Sequence, residues 1–326
     1  MAALYGTNSD PVVDLRDVNG SALAPVLDEE MAAWSGLDWD LSASSALIRR
    51  FLDVKALAGY ALKIGGRVAG YSYFVCEENK GLIGGLYVQR AVRSIETENA
   101  LIEPTLRAMW NTPGIKRIEA QLLMLSSPLH REVPDRARFR MFPRRFLHAP
   151  LSGVASFRER RQPDVAIEPW TPADQEGCAR LLVHAYAGHV DSLINDQYRS
   201  IPGARRFLMN IVQFPGCGSF FAPASFVARI PREAALGGMS LASLVAPGVG
   251  HITQLCIEPA QRGSGLGSEL LRRSLLALAA HNCGSVSLTV TASNREAIRL
   301  YERMGFVNRH DFAAYVWDPR QPPVPD

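Results

Sequence analysis

Gln261-Arg262-Gly263-Ser264-Gly265-Leu266-Gly267-Ser268 is the stretch of this 326-residue chain whose residue types and spacing point most directly to chemistry. It follows an apolar run, Leu255-Cys256-Ile257, and precedes a segment in which Leu271, Leu275 and Leu278 recur at helical spacing. The pattern predicts a strand, a turn and a helix opening at about Leu266. Three glycines at alternate positions remove the Cβ atoms that would hinder close backbone approach. The first turn of the helix leaves N–H donors and a positive dipole end facing that turn. Such an arrangement suits a phosphate or pyrophosphate, and Arg262 adds a positive charge beside it. A dinucleotide fingerprint fails, because the third position counted from Gly263 is Ser268. A P-loop fails too, because Gly267-Ser268-Glu269 carries no lysine. The alternative is a tight turn without a ligand, yet three glycines and an arginine exceed what a turn requires.

A second segment reads Asn294-Arg295-Glu296-Ala297-Ile298-Arg299-Leu300-Tyr301-Glu302-Arg303-Met304-Gly305-Phe306. Together the two segments resemble the GCN5-related N-acetyltransferase (GNAT) superfamily. The acyl-CoA loop of that family is written [QR]-x-x-G-x-[GA], and a downstream N-x-x-A-x-x-x-Y-x-x-x-G-F follows it. The likeness is clear over about 164–318. It implies that backbone groups around Gly263, Ser264, Gly265, Leu266, Gly267 and Ser268 hold the pyrophosphate of acetyl-CoA, with Arg262 alongside. It also implies that Leu255, Cys256 and Ile257 pair with the pantetheine arm as an added strand would, and that Asn294 makes a second contact. As a plain residue Asn294 also reads as a helix N-cap, and the two roles are compatible. Tyr301 is implied as the general acid that protonates the departing thiolate, a task a phenol can perform without being ionised at rest. Tyr301 lies two helical turns after Asn294, on the same side.

The proton acceptor is harder to find. The family often uses a Glu on the strand before the loop, but no acidic residue lies between Gly250 and Ile257. His251 is the nearest titratable group. Strict alternation would put His251, Thr253 and Leu255 on one side and Ile252 and Gln254 on the other. A histidine satisfied by its strand neighbours is the other reading of His251. Cys256 reads as packing, and Glu258 as a solvated charge at the strand end.

These residues need a scaffold, and the chain shows two copies of one. Leu86, Val88, Ala91 and Arg93 repeat as Leu255, Ile257, Ala260 and Arg262 at an offset of 169. In the first copy, Gly65-Gly66 between apolar runs predicts a hairpin. Consecutive strands before each helix predict an α+β fold, and the resemblance makes it two tandem GNAT-like domains, each with a mostly antiparallel mixed sheet flanked by helices. The expected organisation is a flexible tail at 1–10, a degenerate domain at 11–150, a linker at 151–163, a catalytic domain at 164–318 and a Pro-rich tail at 319–326. At the same offset Ser94, Glu96 and Glu98 fall on Gly263, Gly265 and Gly267. The first copy is therefore expected to bind no CoA and to play a structural part. The Arg-rich stretch 131–145 reads as a solvated connector, and 186–221 as a loop-like wall for the acceptor.

Composition bounds the rest. With 35 basic and 32 acidic residues, net charge +3, nothing calls for nucleic acid or an anionic membrane. The 5 cysteines are widely spaced, against a disulfide framework or a zinc site, and fit a reducing cytoplasm. No metal is expected, and no apolar run spans a membrane. The expected activity is transfer of acetyl from acetyl-CoA to a primary amine, on a small molecule or a protein amino group. A non-catalytic acyl-CoA-binding module and a ligand-free scaffold are the other readings.

Overall fold

The computed structural model describes residues 11–160, 164–214, 216–230 and 235–320. The expected tail 1–10, the linker's last residues 161–163 and the end of the Pro-rich tail, 321–326, lie outside the described residues. The first half of the chain runs β1 (Val12–Asp14), α1 (Gly20–Ser35), α2 (Ser42–Asp53), β2 (Gly59–Ile64), β3 (Arg67–Glu77), β4 (Lys80–Val88), α3 (Ile95–Trp110), β5 (Arg117–Gln121) and β6 (Phe139–Pro150). The second half runs β7 (Ala166–Pro169), α4 (Gln175–Ala185), α5 (Asp191–Ile194), α6 (Ile201–Gln213), β8 (Ser219–Phe220), β9 (Phe226–Arg229), β10 (Leu236–Ala246), β11 (Val249–Ile257), α7 (Leu266–Ala280), β12 (Ser285–Thr291), α8 (Arg295–Arg303) and β13 (Val307–Trp317).

Two compact units result. Among the described residues the first comprises 11–34, 41–141 and 312–320, and the second 35–40 and 142–311. In the first unit β1, β2, β3 and β4 pair antiparallel in order, and β4 pairs parallel with β5. Gly65 and Gly66, at φ 58° and 79°, make the expected tight turn between β2 and β3. The strand beyond β5 comes from the far end of the chain: Ala314–Trp317 of β13 lies antiparallel to Ile118–Gln121. Tyr315 and Trp317 are buried there against Leu101, Leu106 and Met109 of α3. A buried ion pair fastens them, Arg117 to Asp318 at 3.0 Å with side chains 1% and 2% exposed.

The second unit has the same plan. Strands β7, β9, β10 and β11 pair antiparallel, and β11 pairs parallel with β12. Its closing strand is β6, antiparallel to β12 from Arg144 to Pro150. Leu147 and Ala149 of β6 are buried with Leu271, Leu275, Leu288 and Phe306. The α+β class with one parallel pair per mostly antiparallel sheet is as the sequence implied.

The linear division at 150–163 differs from this arrangement. The arginines and Pro143 of 131–145 hide a strand whose inward residues are Phe146, Leu147 and Ala149. The run 186–221 is likewise not loop-like, because it holds α5 and α6. Pro202 and Gly203 sit in the first turn of α6, where a missing N–H costs nothing, and Ser200 Oγ caps the Gly203 N–H at 3.2 Å.

The repeat also needs a local adjustment. Strands β3 and β10, and β4 and β11, keep the offset of 169 at both ends. The residues capping α3 and α7 are Ser94 and Gly265, which are 171 apart, so the turn before α7 is longer by two residues. Ser94 therefore corresponds to Gly265, Glu96 to Gly267 and Glu98 to Glu269. Between β5 and β6 there is only a short 3-10 turn, Arg136–Arg138, where the second unit has α8.

Candidate active site

The turn ahead of α7 is shaped by its backbone. Gly263 and Gly265 have φ of 79° and 88°, which side-chain-bearing residues adopt at a cost. A Cβ at Gly263 would meet nothing within 4 Å, so glycine serves the turn's conformation there rather than its packing. Ser264 ties the turn: its hydroxyl donates to Gln261 O at 2.8 Å and accepts from Leu266 N–H at 3.2 Å. No side chain caps Gly265. The N–H groups of Gly267 and Ser268 have no intrahelical acceptor and are left for an outside anion. Arg262 is held beside the turn by its bond to Ala185 O at the end of α4, 2.6 Å.

Strand β11 supplies the second wall. It runs along β10 to Ile257 but pairs with β12 only from Val249 to Ile252. Beyond Ile252 its other edge has no strand partner, which leaves backbone groups open to an extended ligand. Thr253 is a bulge: Leu241 faces Gln254 while Ala242 faces Ile252. The extra residue breaks the alternation. Ile252 and Leu255 thus both reach the α7 side, while His251, Gln254 and Cys256 face the other way.

His251, in the stretch of β11 that is still paired to β12, is not on the cleft wall. Its ring is buried against Trp39, centroids 5.0 Å apart, and Phe146, with Nδ1 2.9 Å from Ser287 Oγ. Burial drives its pKa down to about 3, so it stays neutral and packed. The strand offered it as the nearest titratable group, but its aromatic cover keeps the ring off the cleft wall.

The other expected residues come together. Leu255, Cys256, Ile257, Arg262, Gly263, Gly265, Leu266, Gly267, Ser268, Asn294 and Tyr301 line one cleft of about 340 Å³. The Ser264 side chain, turned back into the loop, is not among them. Asn294 caps α8, its Oδ1 accepting from Ala297 N–H at 3.1 Å. Tyr301 is buried against Phe306. Its phenol has no hydrogen-bond partner among the described residues, and it is pushed well above the ordinary range by burial first and by Asp191 second, with Arg144 opposing. Such a phenol keeps its proton and can donate it. The Cys256 thiol is likewise raised by burial and inert. Glu258 lies at the strand end with His184 at 3.7 Å.

Sequence reading missed the cleft's polar end. Tyr186 and His189 line it from the α4–α5 connection, and Arg160 from the stretch taken as linker. Gln254 donates to Tyr186 Oη at 2.6 Å, and the Tyr186 and Tyr198 rings stack 4.6 Å apart. Arg144, on β6, bonds Thr289 Oγ1 at 3.1 Å and stands 3.8 Å from Asp191, which also accepts from Thr291. The only advance signal was a cluster of Tyr, His and Asp in a segment read as loop. No group of three or more His, Cys, Asp or Glu side chains that could hold a metal occurs among the described residues, and none of their helices is long and apolar enough to cross a membrane.

Comparison with known proteins agrees with this geometry. The profile described as "Acetyltransferase (GNAT) family" matches residues 193–306. A mycothiol acetyltransferase of Saccharopolyspora erythraea is 25% identical over 257 residues, 74% of this chain and 79% of that protein. One of Acidimicrobium ferrooxidans is 36% identical over 103 residues, 30% of this chain but only 33% of that protein. The structure of a GCN5-related N-acetyltransferase from Sphaerobacter thermophilus superposes with TM-score 0.64 at 16% identity, covering 97% of this chain and 98% of that one. A tandem GNAT protein from the clavulanic acid biosynthesis pathway superposes with TM-score 0.59 at 16% identity, covering 95% and 98%. These two likenesses establish the fold of the chain, and the profile matches its segment 193–306 to the acetyltransferase (GNAT) family.

Proposed function

We propose that the chain is an N-acetyltransferase that moves the acetyl group of acetyl-CoA directly to a primary amine. The observation that carries this reading is one cleft combining a helix start with open N–H groups at Gly267 and Ser268, a strand edge without a strand partner and a phenol without a hydrogen-bond partner among the described residues. Bound acetyl-CoA would supply a thioester carbonyl open to attack by an amine. The N–H groups of the Gly263–Ser268 turn and the Arg262 guanidinium would hold its diphosphate. The edge of β11 from Leu255 to Ile257 would align the pantetheine arm. Tyr301 would donate its proton to the sulfur as the C–S bond breaks. Cys256, a high-pKa thiol in an apolar strand, has no part to play as a nucleophile.

The acceptor side is the polar end around Tyr186 and His189. Relatives named mycothiol acetyltransferase, and shorter matches named N-alpha-acetyltransferase, make both small amines and peptide amino groups reasonable trials. A non-catalytic acyl-CoA-binding module is the second reading, favoured by the absence of a carboxylate on β11 between Gly250 and Ile257. Thiol release from acetyl-CoA with glucosamine, kanamycin and a peptide bearing a free α-amino group separates the two. Amine-dependent release that Gly265→Glu abolishes supports the enzyme. Tight acetyl-CoA binding without release for any amine supports the module.

A further inference from the structure

The acetyl-transfer reading leaves open which group takes the proton from the attacking ammonium, and the cleft's polar end holds a candidate that the sequence did not single out. His189 lies on the connection between α4 and α5, beside Gly188 at φ 70°, and its ring lines the cleft with Asn294, Cys256 and Tyr301. We propose that His189 is the proton acceptor of the transfer, with Asp191 as the positioning residue that orients its ring. This rests on the acetyl-transfer reading.

Asn294 Oδ1 is used by Ala297 N–H, so the amide turns its Nδ2 donor toward His189 Nε2, 3.3 Å away. On the other side of the ring, Nδ1 is 3.1 Å from Asp191 N–H and 3.7 Å from Asp191 Oδ2. A neutral imidazole has one lone-pair nitrogen and one N–H. Both ring nitrogens thus face a donor, Nδ1 the Asp191 N–H and Nε2 the Asn294 amide, and a neutral ring accepts from only one of them. The assignment takes Nε2 as the accepting nitrogen; Nδ1–H then replaces the bond from the Asp191 N–H and turns toward the carboxylate 3.7 Å away, and that N–H, at the start of a helix, has no intrahelical acceptor to regain. The bare nitrogen thus points into the cleft, resting on an amide that an incoming amine can displace.

Asp191 is itself fixed. It accepts from the Thr291 hydroxyl and lies 3.8 Å from Arg144, and its side chain is 16% exposed. Carboxylate, imidazole and cleft therefore follow the order in which a buried acid orients a base. The groups that face the ring are Asp191 from α5, Tyr186 from the end of α4 at 5.3 Å between centroids, and Asn294 from α8. Behind them stand Arg144 of β6 and the Tyr198 phenol, while Arg160, Arg262, Glu296 and Arg303 line the same cleft.

In the step, the ammonium of the acceptor loses H⁺ to His189 Nε2. Its nitrogen lone pair forms the C–N bond at the thioester carbonyl, the C–S bond breaks, and Tyr301 O–H protonates the sulfur. The second proton of the attacking nitrogen leaves to solvent as the amide forms, and the imidazolium proton restores the phenol through solvent. The balance is R–NH₃⁺ plus thioester giving amide, thiol and one H⁺.

The test uses the full chain with glucosamine, kanamycin and the free-amino peptide. His189→Gln is expected to lower kcat at least about 100-fold and to erase the acidic limb of the kcat/KM profile. Its acetyl-CoA affinity by calorimetry should stay within about threefold. Asp191→Asn should keep that affinity, lower kcat less, and remove the preference for a proton on Nδ1 in nitrogen-labelled histidine spectra. Nitrogen-labelled histidine spectra of the unaltered chain should show His189 protonated at Nδ1. Undiminished turnover with an intact limb in His189→Gln, or a ring protonated at Nε2, overturns the assignment while leaving acetyl transfer in place. No transfer by the unaltered chain to any of the three amines overturns the acetyl-transfer reading and the assignment together.

Discussion

The two helix starts α3 and α7 occupy equivalent places in two copies of one plan, and they treat their backbone donors in opposite ways. At α3 the chain closes on itself. Ser94 Oγ accepts from Thr97 N–H at 3.2 Å, and Thr97 Oγ1 accepts from Ser94 N–H at 2.9 Å. Glu96 adds a carboxylate in the first turn, held below the ordinary range by the Ser94 side chain first. At α7 no side chain caps Gly265, and glycines keep the approach bare. One helix satisfies its own dipole, and the other leaves it for a ligand. Glu98 and Glu269, by contrast, do the same job in both: each is buried at the fourth helical position and paired with arginine. The two copies thus differ in structure at the turn and at α8, which the first unit lacks, while the strand plan is retained.

The exchange of β6 and β13 complicates a simple division into an active and an inactive half. The largest expected effect follows from it. Deleting residues 1–163 removes β6, and with it Leu147 and Ala149 from the core of the second unit and Arg144 from its contacts with Thr289 and Asp191. The truncated chain should lose cooperative unfolding and near-ultraviolet circular dichroism. A well-folded, acetyl-CoA-binding fragment would break the account of exchanged strands.

Tyr301→Phe comes next. Removing the general acid should cost about 10²- to 10⁴-fold in kcat with little change in acetyl-CoA affinity, measured by thiol release and calorimetry. An equal loss in affinity and turnover would make the phenol a binding group instead.

Glu30 in the first unit sharpens the comparison differently. It is buried, bonded by Tyr71 Oη at 2.7 Å, and burial raises its pKa from 4.5 to about 7. The folded state then holds its proton more tightly than the unfolded one, so its contribution is full below about pH 4.5 and is lost as pH rises to about 7. Over that window stability should fall by on the order of 3 kcal/mol, read by denaturant melts. Glu30→Gln should flatten the slope.

Ser94→Ala carries the smallest effect, about 1 kcal/mol of stability from the lost cap, and it should create no acetyl-CoA site at α3. Gain of binding would show that capping alone silences the first copy.

Much of the second unit was legible because its chemistry demands rare local patterns. The glycine turn needs positive φ at Gly263 and Gly265, and α8 needs an N-cap at Asn294, so both stand out as sequence. What stayed hidden depends on tertiary pairing. Nothing local reveals that Thr253 is a bulge, since a one-residue slip is set by the facing strand, nor that Trp39 and Phe146 cover His251. Nor could β6 be read through its arginines, because Arg144 points into the cleft network while Leu147 and Ala149 fill the core behind it. His189 and Asp191 are near in sequence, but only Asn294 and Thr291, about a hundred residues on, give them a role.

Calorimetric titration of the full chain with acetyl-CoA tests the central claim most directly. The account predicts one molecule bound per chain, lost in Gly265→Glu and unaltered in the double variant Ser94→Gly, Glu96→Gly. Two molecules per chain, or binding that survives Gly265→Glu, would contradict it.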